Sequence, residues 1–219
     1  MTEDLAPSVA PTDPASRPDG VSTLRLVGGA GRIEIRTDPS IDELFRASHG
    51  PGTPEVLVEG EKVTVRYAIH RLLGKLAANE MTDSRFALSS TRPWDIHVPD
   101  GVTGLDADLS GGRLAGMRVG HGGGTVRLRL PRPTGTVPVS ISGGAKEVIV
   151  FRPAGVMVRV ATSGAVTRVI IDSGRPIGPL AGNTTVEPPG YALAEDRYDI
   201  NVSGGCESVL VATEPATTR

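Results

Sequence analysis

From Phe86 to Ala212 the chain is a succession of short runs in which aliphatic residues alternate with polar ones. The clearest is Thr125-Val126-Arg127-Leu128-Arg129-Leu130, which on an extended backbone puts Val126, Leu128 and Leu130 on one side and Arg127 and Arg129 on the other. The same pattern predicts short strands over 94–98, 106–109, 117–119, 137–141, 148–151, 156–160, 166–171, 198–202 and 208–212, with Gly, Pro or Ser-Gly between them. Nearer the start, Leu24, Leu26, Ile33 and Ile35 alternate with Arg25, Arg32, Glu34 and Arg36 around Gly28-Gly29-Ala30-Gly31, which predicts a strand, a tight turn and a strand. Val56 and Val58 lead into Glu59-Gly60-Glu61-Lys62, and Val63 and Val65 lead out, which predicts a hairpin from Glu55 to Tyr67. Two stretches carry helical signals. Ser40-Ile41-Asp42-Glu43 has the spacing of a capping box, so a short helix is expected through about Ala47, ended by His49-Gly50-Pro51-Gly52. Ile69, Leu72, Leu73 and Leu76 share a helical face opposite His70, Arg71 and Lys75, although Gly74 weakens it. That basic amphipathic segment is expected to pack on its own domain, with attachment to a membrane surface as the alternative. Residues 173–190 hold four prolines and four glycines and are expected to form a loop excursion without strands.

A small-residue corner recurs between the runs: Ser110-Gly111-Gly112, Gly122-Gly123-Gly124, Ser142-Gly143-Gly144, Ser163-Gly164-Ala165 and Ser203-Gly204-Gly205. From Gly122 the starts are 20, then 21, then 40 residues apart. A period of about 20 residues predicts stacked β-coils, with glycine where the chain turns with positive φ. With Ile96-His97-Val98-Pro99-Asp100-Gly101-Val102 ahead of these corners, the sequence resembles the bacterial putative-adhesin solenoids, including the toast-rack domains of envelope-stress membrane proteins. The resemblance covers roughly residues 94–172, extending to 198–212. It implies a β-helix-like stack used as an interaction or assembly module, and it brings no catalytic residues. Toast-rack examples are commonly attached to membrane segments, whereas this sequence has no run of about 18 apolar residues.

The fold expected is therefore all-β: a single-stranded solenoid of short strands with Ser-Gly-Gly corners, preceded by a less regular β-rich part with one or two short helices. The organisation expected is a disordered leader over 1–20, a cap region over 21–93, the solenoid over 94–212 with an excursion at 173–197, and a tail over 213–219. The cap region and the excursion would cover the two ends of the stack, whose bare strand edges would otherwise aggregate.

Composition adds an aliphatic core: 38% of residues are hydrophobic but only 3% aromatic. Charge adds more. The net charge of −2 conceals a balance of −6 over 1–110, +8 over 111–175 and −4 over 176–219. Nine of the ten central cations are arginine, and Arg118, Arg127, Arg129, Arg159 and Arg168 lie on expected strands. On one face they would form a ladder able to hold phosphate or carboxylate bidentately. Nucleic acid, phospholipid or an acidic protein would then be the partner. Spread over several faces and paired with acids of neighbouring segments, the same arginines would be structural.

Other chemistry is poorly supported. Gly28-Gly29-Ala30-Gly31 precedes a strand rather than a helix, so it is no phosphate loop. The four histidines, His49, His70, His97 and His121, are scattered, and no metal is expected; Asp106 and Asp108 share a strand face but lack a calcium repeat. An enzyme would have to work from Cys206 or from the acidic loop of Glu195, Asp196 and Asp199, and no cofactor or small-molecule substrate is implied. The first twenty residues carry Glu3, Asp4, Asp13 and four prolines without an apolar core, unlike a signal peptide, and the single cysteine fits a reducing compartment. The expectation is a cytoplasmic, non-enzymatic scaffold or protein-interaction module, with self-association.

Overall fold

The structure, a computed structural model, describes residues 20–50, 54–67, 83–121, 123–172 and 174–214. These residues form seventeen strands. In the first half they are β1 (Ser22–Val27), β2 (Ala30–Asp38), β3 (Phe45–His49), β4 (Glu55–Glu59), β5 (Lys62–Arg66), β6 (Ser84–Ser89), β7 (Pro93–Val98) and β8 (Val102–Asp108). In the second half they are β9 (Arg113–Val119), β10 (Thr125–Arg129), β11 (Thr136–Ile141), β12 (Ala145–Arg152), β13 (Met157–Ser163), β14 (Val166–Ile171), β15 (Asn183–Val186), β16 (Arg197–Ser203) and β17 (Cys206–Thr213). Apart from one turn of 3-10 helix at Tyr191–Leu193, no helix occurs among the described residues.

The strands make two mixed sheets that do not close on each other. The nine-stranded sheet runs β15-β13-β16-β11-β9-β7-β1-β5-β4 and the eight-stranded sheet β14-β17-β12-β10-β8-β2-β6-β3. Pairing is parallel except at the ends, where β4 on β5, β3 on β6 and β15 on β13 are antiparallel. From β5 to β14 successive strands alternate between the sheets, so β7 and β8, or β9 and β10, make one tier. The tiers stack in the order β5/β6, β1/β2, β7/β8, β9/β10, β11/β12, β16/β17 and β13/β14. Chain order therefore holds only from β7 to β12. At one end the first tier is inserted beneath a later one. At the other, β16 lies between β11 and β13, and β17 between β12 and β14. The stack expected to run unbroken over 94–172 is thus interrupted by the last tier.

The core lies between the sheets and is aliphatic. Val126, Leu128, Val139, Ile141, Val148, Val150, Val158, Val160 and Val169 are all inside, whereas Ile171 at the end of β14 is only half-buried. One buried cluster runs through residues of both 21–93 and 94–212. Two of its large polar-tipped members are satisfied by backbone: Trp94 Nε1 donates to Ser89 O at 2.9 Å and Tyr198 OH to Pro131 O at 2.8 Å. Burial pushes the Tyr198 hydroxyl well above its ordinary pKa.

Two further expectations need correction, and three fall outside the described residues. The helix expected over 40–47 is absent. Asp38 Oδ1 accepts from both the Ser40 N–H (2.9 Å) and the Ser40 hydroxyl (2.6 Å), so the hydroxyl that would cap a helix closes a turn instead. Glu43 reaches forward to Arg46, and residues 45–49 join β6 as an antiparallel strand. The excursion over 173–190 does contain a strand, because Asn183–Val186 is free of proline and glycine and pairs with β13. The amphipathic segment over 69–78, the leader up to residue 19 and the tail from 215 lie outside the described residues.

Candidate interaction surface

Alternation along each strand places one set of side chains on the outer face of each sheet, and parallel register lines them up in rows across the strands. On the eight-stranded sheet Arg85 of β6, Glu34 of β2, Asp106 of β8 and Arg127 of β10 form one row. Arg36, Asp108 and Arg129 form the next. Opposite charges meet between tiers: Arg85 Nε is 2.8 Å from Glu34, Arg127 is 3.7 Å from Asp106 and Arg129 is 3.5 Å from Asp108. The Arg129 guanidinium also lies 5.7 Å from the Phe151 ring centroid. Open depressions cross this face. One of about 600 Å³ is lined by Glu34, Arg36, Arg46, Arg85, Asp106 and Asp108 among others. Two of about 480 and 370 Å³ share Arg32 and Asp83. The outcome is a shallow groove of mixed charge over β3, β6, β2, β8 and β10.

The five arginines singled out in the sequence do not converge. Arg127 and Arg129 border the groove, 42% and 40% exposed. Arg168 is on β14 at the far end of the same sheet, with Nε 3.1 Å from Ser208 Oγ. Arg118 and Arg159 are on the nine-stranded sheet, facing the other way. Arg159 makes two hydrogen bonds to Asp199, which raise its pKa, and packs 5.2 Å from the Tyr191 ring centroid. Four of the five thus meet an aspartate on an adjoining strand, and those aspartates come from the two acidic ends of the sequence. Pairing across tiers thus offsets four of the ten central cations.

The nine-stranded sheet carries a cluster that the sequence reading missed. Asp95 and His97 sit two apart on β7, 2.8 Å from each other, and Arg118 of β9 approaches His97 Nε2 at 2.6 Å and Asp95 at 3.4 Å. The signal was present: Asp-x-His on a strand, followed one period later by an arginine. A second pair, also missed, is His49 Nδ1 with Ser84 Oγ at 2.8 Å. Burial lowers the His49 pKa, which favours a neutral ring, but Ser84 is 2% exposed and faces the core.

The remaining candidates have structural partners. Asp196 accepts from Gly135 N–H at 2.7 Å, and Asp199 holds Arg159. Gly28 N–H donates to Asp100 at 2.7 Å, where a phosphate loop would hold its ligand. His121 Nδ1 is 3.3 Å from Pro99 O. Among the described residues no group of three or more His, Cys, Asp or Glu is placed to hold a metal ion. Cys206 is buried, its thiol donates to Ser208 O at 3.3 Å, and burial raises its pKa. A buried neutral thiol is a poor nucleophile. Native protein should therefore resist iodoacetamide at neutral pH and take up one equivalent in denaturant; rapid alkylation of the folded chain, followed by mass spectrometry, would show that the thiol is accessible after all.

No family model matches the chain, and no curated protein matches it. Among solved structures it is similar to a "putative cell adhesion protein" from Clostridium sporogenes, at 15% identity over 91% of this chain and 96% of that one, with a TM-score of 0.61. It also matches a "putative adhesin" from Bacteroides fragilis at 12% identity, over 89% and 93% of the two chains, with a TM-score of 0.30. The Clostridium likeness establishes the fold: the two chains share one all-β architecture. Among the described residues no helix is long and apolar enough to cross a membrane.

Proposed function

We propose that this chain is a non-enzymatic interaction module, a β-solenoid-like scaffold that presents the mixed-charge groove of its eight-stranded sheet to another protein. The observation that carries the reading is the pairing of Arg127 with Asp106 and of Arg129 with Asp108 across tiers. A surface of alternating sign suits a partner carrying both signs, because each charge on it meets its opposite and like-charge contacts select against other registers. It suits a polyanion poorly, since a phosphate backbone would have to displace the aspartates. A cytoplasmic setting is part of the proposal, supported by the single free cysteine.

The test compares retention on heparin, duplex DNA and anionic liposomes across salt. Little retention is expected at moderate salt. Five unpaired arginines contacting phosphates would instead give a slope of log affinity against log salt of about −4.5. A slope of that size, lost in the Arg127→Glu/Arg129→Glu variant, would replace the protein-partner reading with a polyanion one. The double variant should keep the fold, because exposed pairs of this kind contribute about 0–1 kcal/mol each. Self-association is a second reading, favoured by one observation: Leu210 and Ile170, both half-buried, pair across β17 and β14 on the outer face of the same sheet. Light scattering after size exclusion decides it, and a monomer across a hundredfold concentration range would exclude it.

A further inference from the structure

The edges of the two sheets are not alike. At the far end of the nine-stranded sheet, β15 is the polar run Asn183-Thr184-Thr185-Val186, followed by Pro188 and Pro189. At the near end of the eight-stranded sheet, β3 carries Arg46, Ser48 and His49. Both are blunted in the ways that discourage a further strand. The near end of the nine-stranded sheet is different. There β4 reads Glu55-Val56-Leu57-Val58-Glu59, with Val56, Leu57 and Val58 exposed by 40%, 38% and 51%. Among the described residues nothing pairs with its outer side. Three consecutive exposed apolar residues on a free strand edge are a template for another strand.

The hairpin geometry says which backbone groups are free. Glu59 pairs with Lys62 across the two-residue turn of Gly60 and Glu61, with Gly60 at φ 58°. The pair that closes such a turn exchanges both hydrogen bonds, and the pairs then alternate. Leu57·Thr64 and Glu55·Arg66 are accordingly hydrogen-bonded, while Val58·Val63 and Val56·Val65 direct the N–H and C=O groups of Val56 and Val58 away from β5.

Charge selects the occupant. Glu55 and Glu59 flank the apolar triplet at positions 68% and 61% exposed, each facing a cation of β5, Arg66 at 3.5 Å and Lys62 at 3.8 Å. A second copy of β4 in antiparallel register would set Glu55 against the other copy's Glu59 twice over, and like charges directly opposite are destabilising. A strand with Lys or Arg at both flanks would continue the alternation cation, carboxylate, cation across the sheet. We propose that the free edge of β4 takes an extended segment of a different polypeptide, as an added strand of pattern basic–apolar–apolar–apolar–basic. This rests on the interaction-module reading above and places a contact on a second surface.

The experiment uses the full-length chain and fluorescently labelled, end-capped peptides read by polarisation. One has the core Lys-Val-Leu-Val-Lys, the other Glu-Val-Leu-Val-Glu. The lysine-flanked peptide is expected to bind saturably and at least tenfold more tightly. Val56→Pro removes one free-edge N–H without touching a bond to β5, so it should weaken binding at least tenfold and leave the circular-dichroism spectrum unchanged. Glu55→Lys/Glu59→Lys should reverse the peptide preference. The proposal is overturned if the full chain binds neither peptide, or if Val56→Pro binds as well as the parent. Preference for the glutamate-flanked peptide, or dimers lost in Val56→Pro, would assign the edge to a second copy. Binding seen only after residues 68–82 are deleted would assign it to the chain's own segment. Failure here leaves the groove reading standing, because that reading is decided separately by salt-dependent retention and by the Arg127/Arg129 variant.

Discussion

Val158→Asp is expected to abolish soluble expression, while Thr167→Asp, one strand further along the same tier, should fold. Val158 is 1% exposed on β13 and pairs with Tyr198 of β16, itself fully buried, whereas Thr167 is exposed. Losing the valine forfeits about 1.5–3 kcal/mol of burial. The larger cost is the carboxylate, which in this aliphatic layer finds no cation and must either pay several kcal/mol of desolvation or take up a proton and leave a polar group unmatched. Against a total stability of about 5–15 kcal/mol, the two together are enough to unfold the chain. Soluble fraction and circular dichroism of the two variants check this. A soluble Val158→Asp protein that unfolds cooperatively would mean that the two sheets do not pack as described.

How far the sequence could carry this structure depends on the range of each interaction. Alternation is local, and it located Thr125–Arg129 and its neighbours, with Val126 and Leu128 inward and Arg127 and Arg129 outward, because an extended chain leaves those side chains no other choice. The order of tiers is not local. Every parallel tier presents the same kind of hydrogen-bonding edge, so nothing in β16 or β17 announces that they slip between β11/β12 and β13/β14. The 40-residue gap between Ser163 and Ser203 looked like two units in line; it is the length the chain needs to leave, form β15 and return. The failed helix at Ser40 was a contest between two local signals, and the Asp38 turn won because it satisfies the hydroxyl without forming a helix. The arginines failed as a single face for a related reason. From β5 to β14 the sheet a strand joins alternates with chain order, so Arg118 and Arg127, nine residues apart, end on opposite outer faces. Their neutralisation by Asp95, Asp106, Asp108 and Asp199 was legible only as a charge balance between segments, since the partners are fixed by tier and not by sequence distance.

Three glycine-to-alanine changes should separate backbone strain from crowding at the corners, and Gly204→Ala should be the costly one. Gly204 adopts φ +94°, and a Cβ there would lie 2.7 Å from the backbone N of Gly144 and 3.3 Å from the carbonyl carbon of Gly143. The atoms met are backbone of the adjoining corner, so no side chain can swing aside. A left-handed conformation costs a non-glycine residue about 1–2 kcal/mol, and forcing an extra carbon into a packed site adds about 1–3 kcal/mol. The sum predicts a loss of about 2–5 kcal/mol, read as a fall in urea midpoint at constant m-value. Gly135 has φ +69° but nothing within 4 Å of its Cβ position, so Gly135→Ala should show the conformational cost alone, about 1–2 kcal/mol. Gly205, next to Gly204, has neither a positive φ nor a neighbour within 4 Å, and Gly205→Ala should stay within about 0.5 kcal/mol of the parent. The ranking also tests the inserted tier. Gly204 is crowded because the β16/β17 corner is wedged between its neighbours: it sits against Gly144 on one side, and a Cβ on Gly164 would lie 2.5 Å from Gly204 O on the other. If the tiers followed chain order, the corners at 144 and 164 would touch each other and Gly204 would be at the end of the stack with room for a methyl group. Equal stability of Gly204→Ala and Gly135→Ala would therefore argue for that simpler order and against the one described.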